Sequence, residues 1–354
     1  MKQIRIALIG YGNVGKAFAR MLIRKKNYII ETFGCEPVIT AICTGSRGGI
    51  LSAADPAGAG GTADACGIDT EHLSDDQFDR GLDAFAIIDS GQYDVMVELT
   101  PINIMTGMPA TEHVRRALNL GKHVITANKG PIAWAFRELR DLAREKGVQF
   151  LYEATVMDGV PVYNLARETL MGCQITEVSG IFNATTNFIL TEMEKGSSFE
   201  DAVAEGRRQG FVEADPSMDI DGWDAAAKLT ALMNVLMDVH ITPLDIDRTG
   251  ISAITKAQIE EAAAQGKKIK LICRGVLTEG KDGGLTPVGS VKPTLVDQES
   301  LPAIMDATSS YVSVMTDLMG GVTVIEEPFE PEIDHTAYGV LSDVLRILAN
   351  AHAR

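Results

Sequence analysis

The sequence predicts an α/β protein with a doubly wound parallel sheet, followed by an α+β domain that contains an open sheet. Up to about residue 155, short apolar strands alternate with helices, and a glycine-rich turn joins the first strand to the first helix. Such alternation produces a parallel sheet with helices on both faces. Beyond residue 155 the alternation loosens, and helices and strands come in runs.

The elements of the first part can be assigned in order. Strands are predicted at 4–10, 38–44, 94–101, 122–128 and 148–155, and helices at 13–26, 74–89, 111–121 and 131–147. The helix at 131–147 has proline in its first turn and glycine at its end, which favour a helix start and stop. Residues 1–154 are therefore expected to form one domain, joined by a C-terminal helix at 333–354.

The rest of the chain, residues 155–332, is predicted to form a domain for substrate binding and dimerisation. Helices are expected at 160–172, 187–196, 200–210, after 221 and early in 254–277, and strands at 175–183, late in 254–277, at 288–296 and within 309–327. One face of the resulting open sheet is expected to contact a second subunit, so the predicted assembly is a homodimer.

Composition excludes several classes of partner. The net charge of −16 disfavours nucleic acid and anionic membrane surfaces, both of which need clustered basic residues. The five cysteines are scattered without zinc-site spacing, as expected for reduced thiols. No signal-peptide pattern opens the chain, and no apolar run reaches the roughly 20 residues needed to span a bilayer. We therefore expect a cytoplasmic protein with a small-molecule substrate.

The turn after the first strand reads GYGNVG (10–15) and fits the pattern G-x-G-x-x-G. Between a strand and a helix, this motif predicts a Rossmann-type dinucleotide site. Gly10 allows the tight turn, Gly12 lets the backbone approach a pyrophosphate, and Gly15 lets the helix pack closely. Asn13 and Val14 open the helix, whose free N–H groups favour an anion. The alternative is a purely structural glycine turn.

The second strand bears on the choice of dinucleotide. It ends in CTGSR (43–47), without the acid that usually binds the ribose of NAD. Arg47 can instead pair with a 2′-phosphate, which favours NADP over NAD, although it can also be a solvated loop residue. Thr100 and Lys129 are further predicted cofactor contacts. An Ala/Gly-rich stretch at 52–67 is expected to form a mobile loop near the cofactor.

Five motifs together resemble those of the homoserine dehydrogenases, and the resemblance runs over nearly the whole chain. They are GYGNVG (10–15), TANKGP (126–131), YEATVMDGVP (152–161), GIFNATTNFIL (180–190) and GFVEADPSMDIDGWDAAAK (210–228). The resemblance implies an oxidoreductase that interconverts L-homoserine and L-aspartate 4-semialdehyde with NAD(P), a step toward threonine and methionine. The alternative is a dehydrogenase of the same family that acts on a different hydroxy or amino acid.

The last of these motifs is rich in acids. The resemblance implies that Glu213, Asp219 and Asp224 lie on the substrate side of the site. This agrees with the chemistry, because the ammonium group of homoserine needs paired carboxylates once it leaves water. Asp215 and Asp221 are instead expected to be turn and capping acids.

Two lysines are candidates for the chemistry. The resemblance implies that Lys228 transfers the proton and that Lys129 is a second active-site lysine. Lys129 lies just past the carboxyl end of a strand, where such sheets bind ligands. Asp224 and Lys228 share a helix face, and their alternative role is an ordinary surface pair. Lys228 can act as a base or as a hydrogen-bond donor to the carbonyl oxygen. NATTN (183–187) adds polar groups that either face the substrate or form a turn.

A monovalent cation site is also implied by the resemblance. The matching positions in YEATVMDGVP are Glu153, Val156, Asp158 and Val160, which would hold Na⁺ or K⁺. Backbone and carboxylate oxygens suit such hard cations.

One segment departs from the family pattern. Residues 326–343 read EEPFEPEIDHTAYGVLSD, where the family often has a glycine-rich cofactor contact.

A phosphorylating semialdehyde dehydrogenase is a rival function, but it would need a cysteine nucleophile paired with a histidine. A non-catalytic dinucleotide sensor is another, although it would be expected to have lost the two lysines.

Overall fold

The computed structural model describes residues 1–52, 67–210, 212–280, 283–327 and 332–352. The chain divides into two compact units, of which unit 1 comprises Met1–Pro161 with Phe329–Arg354 and unit 2 comprises Val162–Pro328. This division falls after Pro161, whereas the sequence predicted a boundary after residue 154. Most of the loop predicted at 52–67 lies outside the described residues, as do residues 328–331 of the departing segment.

Unit 1 begins with a six-stranded sheet and four helices. The strands are β1 (Lys2–Ile9), β2 (Cys35–Thr44), β3 (Gly48–Leu51), β4 (Val95–Glu98), β5 (His123–Thr126) and β6 (Phe150–Leu151). The helices are α1 (Asn13–Phe33), α2 (Ala84–Ser90), α3 (Ala110–Asn119) and α4 (Lys129–Lys146).

The sheet of unit 1 has the order β3-β2-β1-β4-β5-β6. All neighbouring strands are parallel except β3, which runs antiparallel to β2. The side chains of Ile6, Leu8 and Ile9 on β1 are fully buried, as expected for a central parallel strand covered on both faces. The predicted doubly wound sheet is confirmed, and the carboxyl ends of β1, β4 and β5 share one edge of it.

The helix predicted at 74–89 is wrong in its first half. A single 3-10 turn at Asp75–Gln77 precedes α2, and the chain between them forms an isolated β-bridge at Asp79 and a turn at residues 80–81. Asp79 explains the break, because its backbone N–H and C=O both bond to Gly49 at the sheet edge, at 2.8 and 3.0 Å. The strand predicted at 148–155 is also shorter, since a 3-10 turn begins at Glu153.

Unit 2 contains an open sheet with helices packed on it. Its strands are β7 (Ile175–Ile181), β8 (Asp247–Arg248), β9 (Lys267–Glu279), β10 (Leu285–Asp297), β11 (Ser310–Thr316) and β12 (Gly320–Glu326). Its helices are α5 (Val162–Thr169), α6 (Ala184–Glu194), α7 (Phe199–Gln209), α8 (Ser217–Ile220), α9 (Trp223–Leu236), α10 (Lys256–Ala264) and α11 (Leu301–Ile304).

The sheet of unit 2 has the order β12-β11-β7-β9-β10-β8, and only the β10–β8 pair is parallel. Helix α9 packs closely on β9 and β10, because both strands carry a glycine beneath it. A Cβ atom on Gly275 would lie 2.3 Å from Met233 Sδ, and one on Gly289 would lie 3.3 Å from the same atom. This close seating fixes α9, the helix that carries Lys228.

The last helix, α12 (Glu332–His352), returns to unit 1. Val340, Leu341 and Val344 join the core that includes Phe18 and Leu22 of α1. The loop before Pro161 packs on this helix, since a Cβ on Gly159 would lie 2.5 Å from the carbonyl oxygen of His335. Within the described residues, none of the helices combines the length and hydropathy that a transmembrane span requires.

Candidate active site

The glycine turn of unit 1 has the geometry that the motif predicts. Gly10 has φ of +102°, and a Cβ there would lie 2.6 Å from the backbone carbonyl of Leu99, so only glycine fits without strain. Gly12 precedes α1 and offers it no side-chain cap, and a Cβ on Gly12 would meet no atom of the described residues within 4 Å. The first N–H groups of a 21-residue helix therefore lie beside open space. This arrangement fits the pyrophosphate of a dinucleotide.

Arg47 lies in the turn between β2 and β3, held by three contacts. Its backbone N–H donates to Thr44 Oγ1 at 2.9 Å, and Nη1 lies 3.1 Å from Asp75 Oδ1. The guanidinium carbon lies 4.2 Å from the centre of the Phe78 ring. The turn thus holds Arg47 just past the second strand, where such folds bind the ribose of the cofactor. Its contact with a 2′-phosphate stays a prediction.

A fully buried carboxylate, Glu98, ends strand β4 and was missed by the sequence analysis. Its Oε1 accepts hydrogen bonds from the hydroxyl and the backbone N–H of Thr100, and lies 3.4 Å from His113 Nδ1. Its Oε2 lies 3.5 Å from Thr126 Oγ1. The only sequence signal was an acid at the end of an otherwise apolar strand, VMVE. Glu98 thereby ties the ends of two neighbouring strands together.

Asn128 sets the start of α4 and hence the position of Lys129. The Asn128 Oδ1 accepts a 2.8 Å bond from the backbone N–H of Gly130, and its Nδ2 donates to the carbonyl oxygen of Thr100 at 2.9 Å. Lys129 is the first residue of the helix, and its side chain is partly buried. Both Thr100 and Lys129 therefore follow strand ends at the same edge as the glycine turn, as expected for cofactor contacts.

The loop that is predicted to bind a cation contacts helix α12 through Thr336 and Asp343. The backbone N–H of Glu153 donates to Asp343 Oδ2 at 2.9 Å, and Thr336 Oγ1 donates to Asp158 Oδ1 at 2.9 Å. Asp158 has a positive φ of 48°, an uncommon conformation that marks a constrained loop. Val156 and Val160 are buried. Cation binding by this loop stays a prediction.

In unit 2, Asn183 gathers two of the predicted substrate-binding acids. It caps α6 by accepting a 2.8 Å bond from the N–H of Thr186. Its Nδ2 donates to Asp219 Oδ1 at 2.6 Å and to Asp224 Oδ2 at 3.0 Å. One amide thus holds the carboxylates of the first and last residues of the segment 219–224, which we call the acidic turn.

Lys228 belongs to the same cluster. Its Nζ donates to the carbonyl oxygen of Phe182 at 2.7 Å and lies 3.1 Å from Asp224 Oδ2. The side chains of Lys228 and Asp224 are only 21% and 15% exposed, so the pair is not an ordinary surface pair. The alternating charges and the amide form a polar site able to bind an amino acid and to exchange a proton.

The remaining acids of the motif differ in their surroundings. Glu213 is exposed, and Arg207 Nε binds its backbone carbonyl oxygen at 3.3 Å. Asp215 Oδ1 accepts from the N–H of Ser217 at 3.1 Å, so it is a turn acid as predicted, and its hydrogen bonds to Ser217 lower the pKa of its carboxyl group. The structure therefore brings Asp219, Asp224 and Lys228 together. A substrate contact by Glu213 stays a prediction.

Three of the cysteines in the described part of the chain are poorly suited to the rival chemistry that needs a nucleophilic thiolate. Cys35, Cys43 and Cys273 are buried. Burial raises the pKa of Cys43 to about 11 and that of Cys273 to about 12. A thiol with such a pKa is protonated near neutral pH and is a poor nucleophile.

Comparison with known proteins agrees with this geometry. Family models described as homoserine dehydrogenase and as homoserine dehydrogenase, NAD binding domain, match residues 161–345 and 10–153. The NAD(+)-dependent homoserine dehydrogenase of Pseudomonas canavaninivorans is 35% identical, across 99% of this chain and 98% of that protein. The homoserine dehydrogenase of Methanocaldococcus jannaschii is 36% identical, across 97% and 98% of the two chains.

Solved structures show the same relationship. The putative homoserine dehydrogenase of Archaeoglobus fulgidus has a TM-score of 0.79 and 32% identity, covering 98% of this chain and 99% of that one. A hyperthermophilic archaeal homoserine dehydrogenase in complex with NADPH has a TM-score of 0.74 and 25% identity, covering 98% of both chains. The resemblance seen in the motifs is confirmed, and the chain belongs to the homoserine dehydrogenase family, the NAD(P)-dependent oxidoreductases that act on the CH–OH group of homoserine.

Proposed function

We propose that Asp219 and Asp224 bind the ammonium group of L-homoserine and that Lys228 exchanges the proton of its hydroxyl group. The observation that carries this proposal is the shared contact of both carboxylates with Asn183, with Lys228 3.1 Å from one of them. Two carboxylates held this close repel each other, and a cation bound between them relieves the repulsion. The pair therefore attracts a cation strongly. The ammonium of the substrate is such a cation.

Lys228 fits the role of proton donor in the reductive direction. A lysine near its reference pKa of about 10.4 is protonated at neutral pH, so donation needs no shift. A dinucleotide, when bound, would supply the hydride to the aldehyde carbon. Lys228 Nζ then gives a proton to the carbonyl oxygen, which becomes the hydroxyl group of homoserine. In the oxidative direction the same nitrogen takes that proton back.

Unit 1 supplies the dinucleotide site. The backbone around Gly12 and the start of α1 would hold the pyrophosphate, with Asn13, Val14 and Gly15 shaping the turn. Arg47 would pair with a 2′-phosphate, and this favours NADP over NAD. Lys129 is proposed as a second active-site lysine, as the family motif implies, and its charge would stabilise developing negative charge on the oxygen.

Three further features belong to the proposal. Residues Glu153, Val156, Asp158 and Val160 would hold Na⁺ or K⁺ through their oxygens. A homodimer is supported by exposed large apolar side chains on the strands of unit 2, including Val288, Leu295, Met315 and Ile325. A cytoplasmic location is supported by the four cysteines of the described residues, which are free thiols.

Steady-state assays test the function directly. Purified protein should reduce NADP with L-homoserine at mildly alkaline pH, and NAD more slowly. L-serine, L-threonine and 4-hydroxybutyrate, measured in parallel, should give little turnover. Turnover of another of these substrates in place of L-homoserine would favour a dehydrogenase of the same family with a different specificity. A preference for NAD would remove the role given to Arg47.

A further inference from the structure

We propose that Arg248 is a positioning residue for the substrate-binding carboxylates, acting through the backbone of the acidic turn. The inference rests on the proposed role of Asp219 and Asp224. Arg248 ends the two-residue strand β8, which the sequence analysis did not predict. Within the described residues, its guanidinium group donates a hydrogen bond to the backbone of the turn and not to a carboxylate, so its effect on substrate binding is indirect.

The side chain of Arg248 contacts the acidic turn in three ways. Its guanidinium carbon lies 3.8 Å from the centre of the Trp223 ring, a cation–π contact. Its Nη1 donates to the backbone carbonyl oxygen of Asp221. Its aliphatic stem covers Gly222, where a Cβ would lie 3.5 Å from Arg248 Cγ. Three consecutive residues of the turn are thus held by one planar, permanently charged side chain.

The backbone after Arg248 braces the same turn. The N–H of Ile251 donates to the carbonyl oxygen of Ile220 at 2.8 Å. A Cβ on Gly250 would lie 2.3 Å from that oxygen, so the two backbones meet where no side chain fits. The N–H of Thr249 donates to the carbonyl oxygen of Val291 on β10 at 2.8 Å, and this ties the brace to the sheet.

The acidic turn needs such a brace because its own structure is weak. Helix α8 has four residues, too few to be stable alone, and Gly222 has φ of +79°. Asp219 and Asp224 carry like charges, yet their oxygens lie 2.6 and 3.0 Å from one amide nitrogen. Lys228, 3.1 Å from Asp224, offsets part of this negative charge, and the remaining repulsion between the carboxylates favours opening of the turn when no substrate is bound. Arg248 opposes this opening by holding the residues between them.

A matched set of variants tests the proposal. Arg248→Met removes the charge and the hydrogen bond but keeps an apolar stem, whereas Arg248→Lys keeps the charge and loses the planar group. Arg274→Met is the control, since this arginine on β9 of the same unit pairs with Glu177 at 2.7 Å. We expect Arg248→Met to raise KM for L-homoserine roughly 10-fold, the scale of one charged hydrogen bond. Arg248→Lys should give an intermediate rise and Arg274→Met none.

Two further readouts separate positioning from general damage. The Kd for NADPH should stay within about twofold of wild type, and kcat should fall less than KM rises. In a Trp134→Phe background, which leaves Trp223 as the only tryptophan, Arg248→Met should increase acrylamide quenching of the emission. This optical readout does not depend on turnover, so it reports on the brace even if wild type proves inactive with homoserine. The proposal would be overturned if Arg248→Met raised the Kd for NADPH as much as the KM for L-homoserine and also lowered the thermal midpoint. It would also be overturned if both KM and quenching stayed unchanged.

Discussion

The dinucleotide-binding edge of unit 1 and the acidic turn of unit 2 are built by different means. The edge in unit 1 depends on backbone: Gly10 turns the chain, Gly12 exposes the start of α1, and Asn128 caps α4. The acidic turn depends on side chains with opposite charges, arranged around the amide of Asn183 and the ammonium of Lys228.

This difference determines how each region should respond to mutation. A backbone-built site loses its shape when a side chain is added, and the loss appears first in folding and cofactor affinity. A charge-built site can lose one charged side chain without unfolding the protein, but it loses the chemistry of that charge. Substitutions at one residue in each region can therefore test the comparison.

The largest effect is expected at Lys228. Lys228→Ala removes the proposed proton donor, so kcat should fall by about 10²–10⁴, or about 3–5 kcal/mol of barrier. NADPH affinity and thermal midpoint should stay near wild type, because the dinucleotide site belongs to unit 1. Steady-state kinetics and NADPH fluorescence titration measure both. Lys195→Ala, on an exposed lysine 2.7 Å from Glu192, is the control and should be silent. Normal turnover by Lys228→Ala would remove this residue from the mechanism.

The next effect separates two glycines of one motif. Gly10→Ala puts a Cβ 2.6 Å from the Leu99 carbonyl at a φ of +102°, so it should destabilise the protein by about 1–3 kcal/mol or more. Gly12→Ala has open space around its Cβ and should fold normally, yet weaken NADPH binding at least about 10-fold, because the methyl group blocks approach of the pyrophosphate. Thermal unfolding and fluorescence titration give the two values. Equal destabilisation by both would contradict a site shaped for a ligand.

The same contrast explains what the sequence could predict. Backbone-built features follow local rules, so the GYGNVG turn and the parallel sheet were predicted correctly, as was the role of Asp215 in a turn. The break in the helix predicted at 74–89 was missed because it depends on Asp79 pairing with Gly49, 30 residues earlier in the chain. Local propensity contains no information about such a partner.

Side-chain networks between distant residues were also beyond the sequence. The two lysines and the acids were proposed from motifs, but the arrangement of Asp219 and Asp224 depends on Asn183, 36 and 41 residues away from them. Glu98 gave only the weak signal of an acid ending an apolar strand. No motif indicated Arg248, because its contact with the acidic turn exists only after β8 joins the sheet.

Unit 2 contains another network of charged and polar side chains, centred on a buried lysine. Lys270 on β9 is fully buried, and its Nζ lies 3.1 Å from Asn187 Oδ1, 3.0 Å from the Met305 carbonyl oxygen and 3.5 Å from Glu194 Oε1. Asn187 and Glu194 belong to α6, the helix that Asn183 caps. Lys270 therefore fixes α6 to the sheet. Burial lowers the pKa of its ammonium group, although the Glu194 carboxylate opposes this shift.

Lys270→Met should give the smallest of the three effects, a loss of about 1–3 kcal/mol in unfolding free energy, because Asn187 Oδ1 and the Met305 carbonyl oxygen lose a buried donor. The gap between wild type and variant should also widen as pH rises toward the unfolded lysine pKa of about 10.4. The folded-state pKa is lowered, so this lysine's contribution is complete above the unfolded pKa and is lost as pH falls through the folded pKa. Urea unfolding at several pH values measures the gap. Lys267→Met, on a partly exposed lysine of the same strand, should change stability by less than about 0.5 kcal/mol at every pH. A Lys270→Met protein as stable as wild type, with a gap independent of pH, would show that packing rather than charge holds α6 in place.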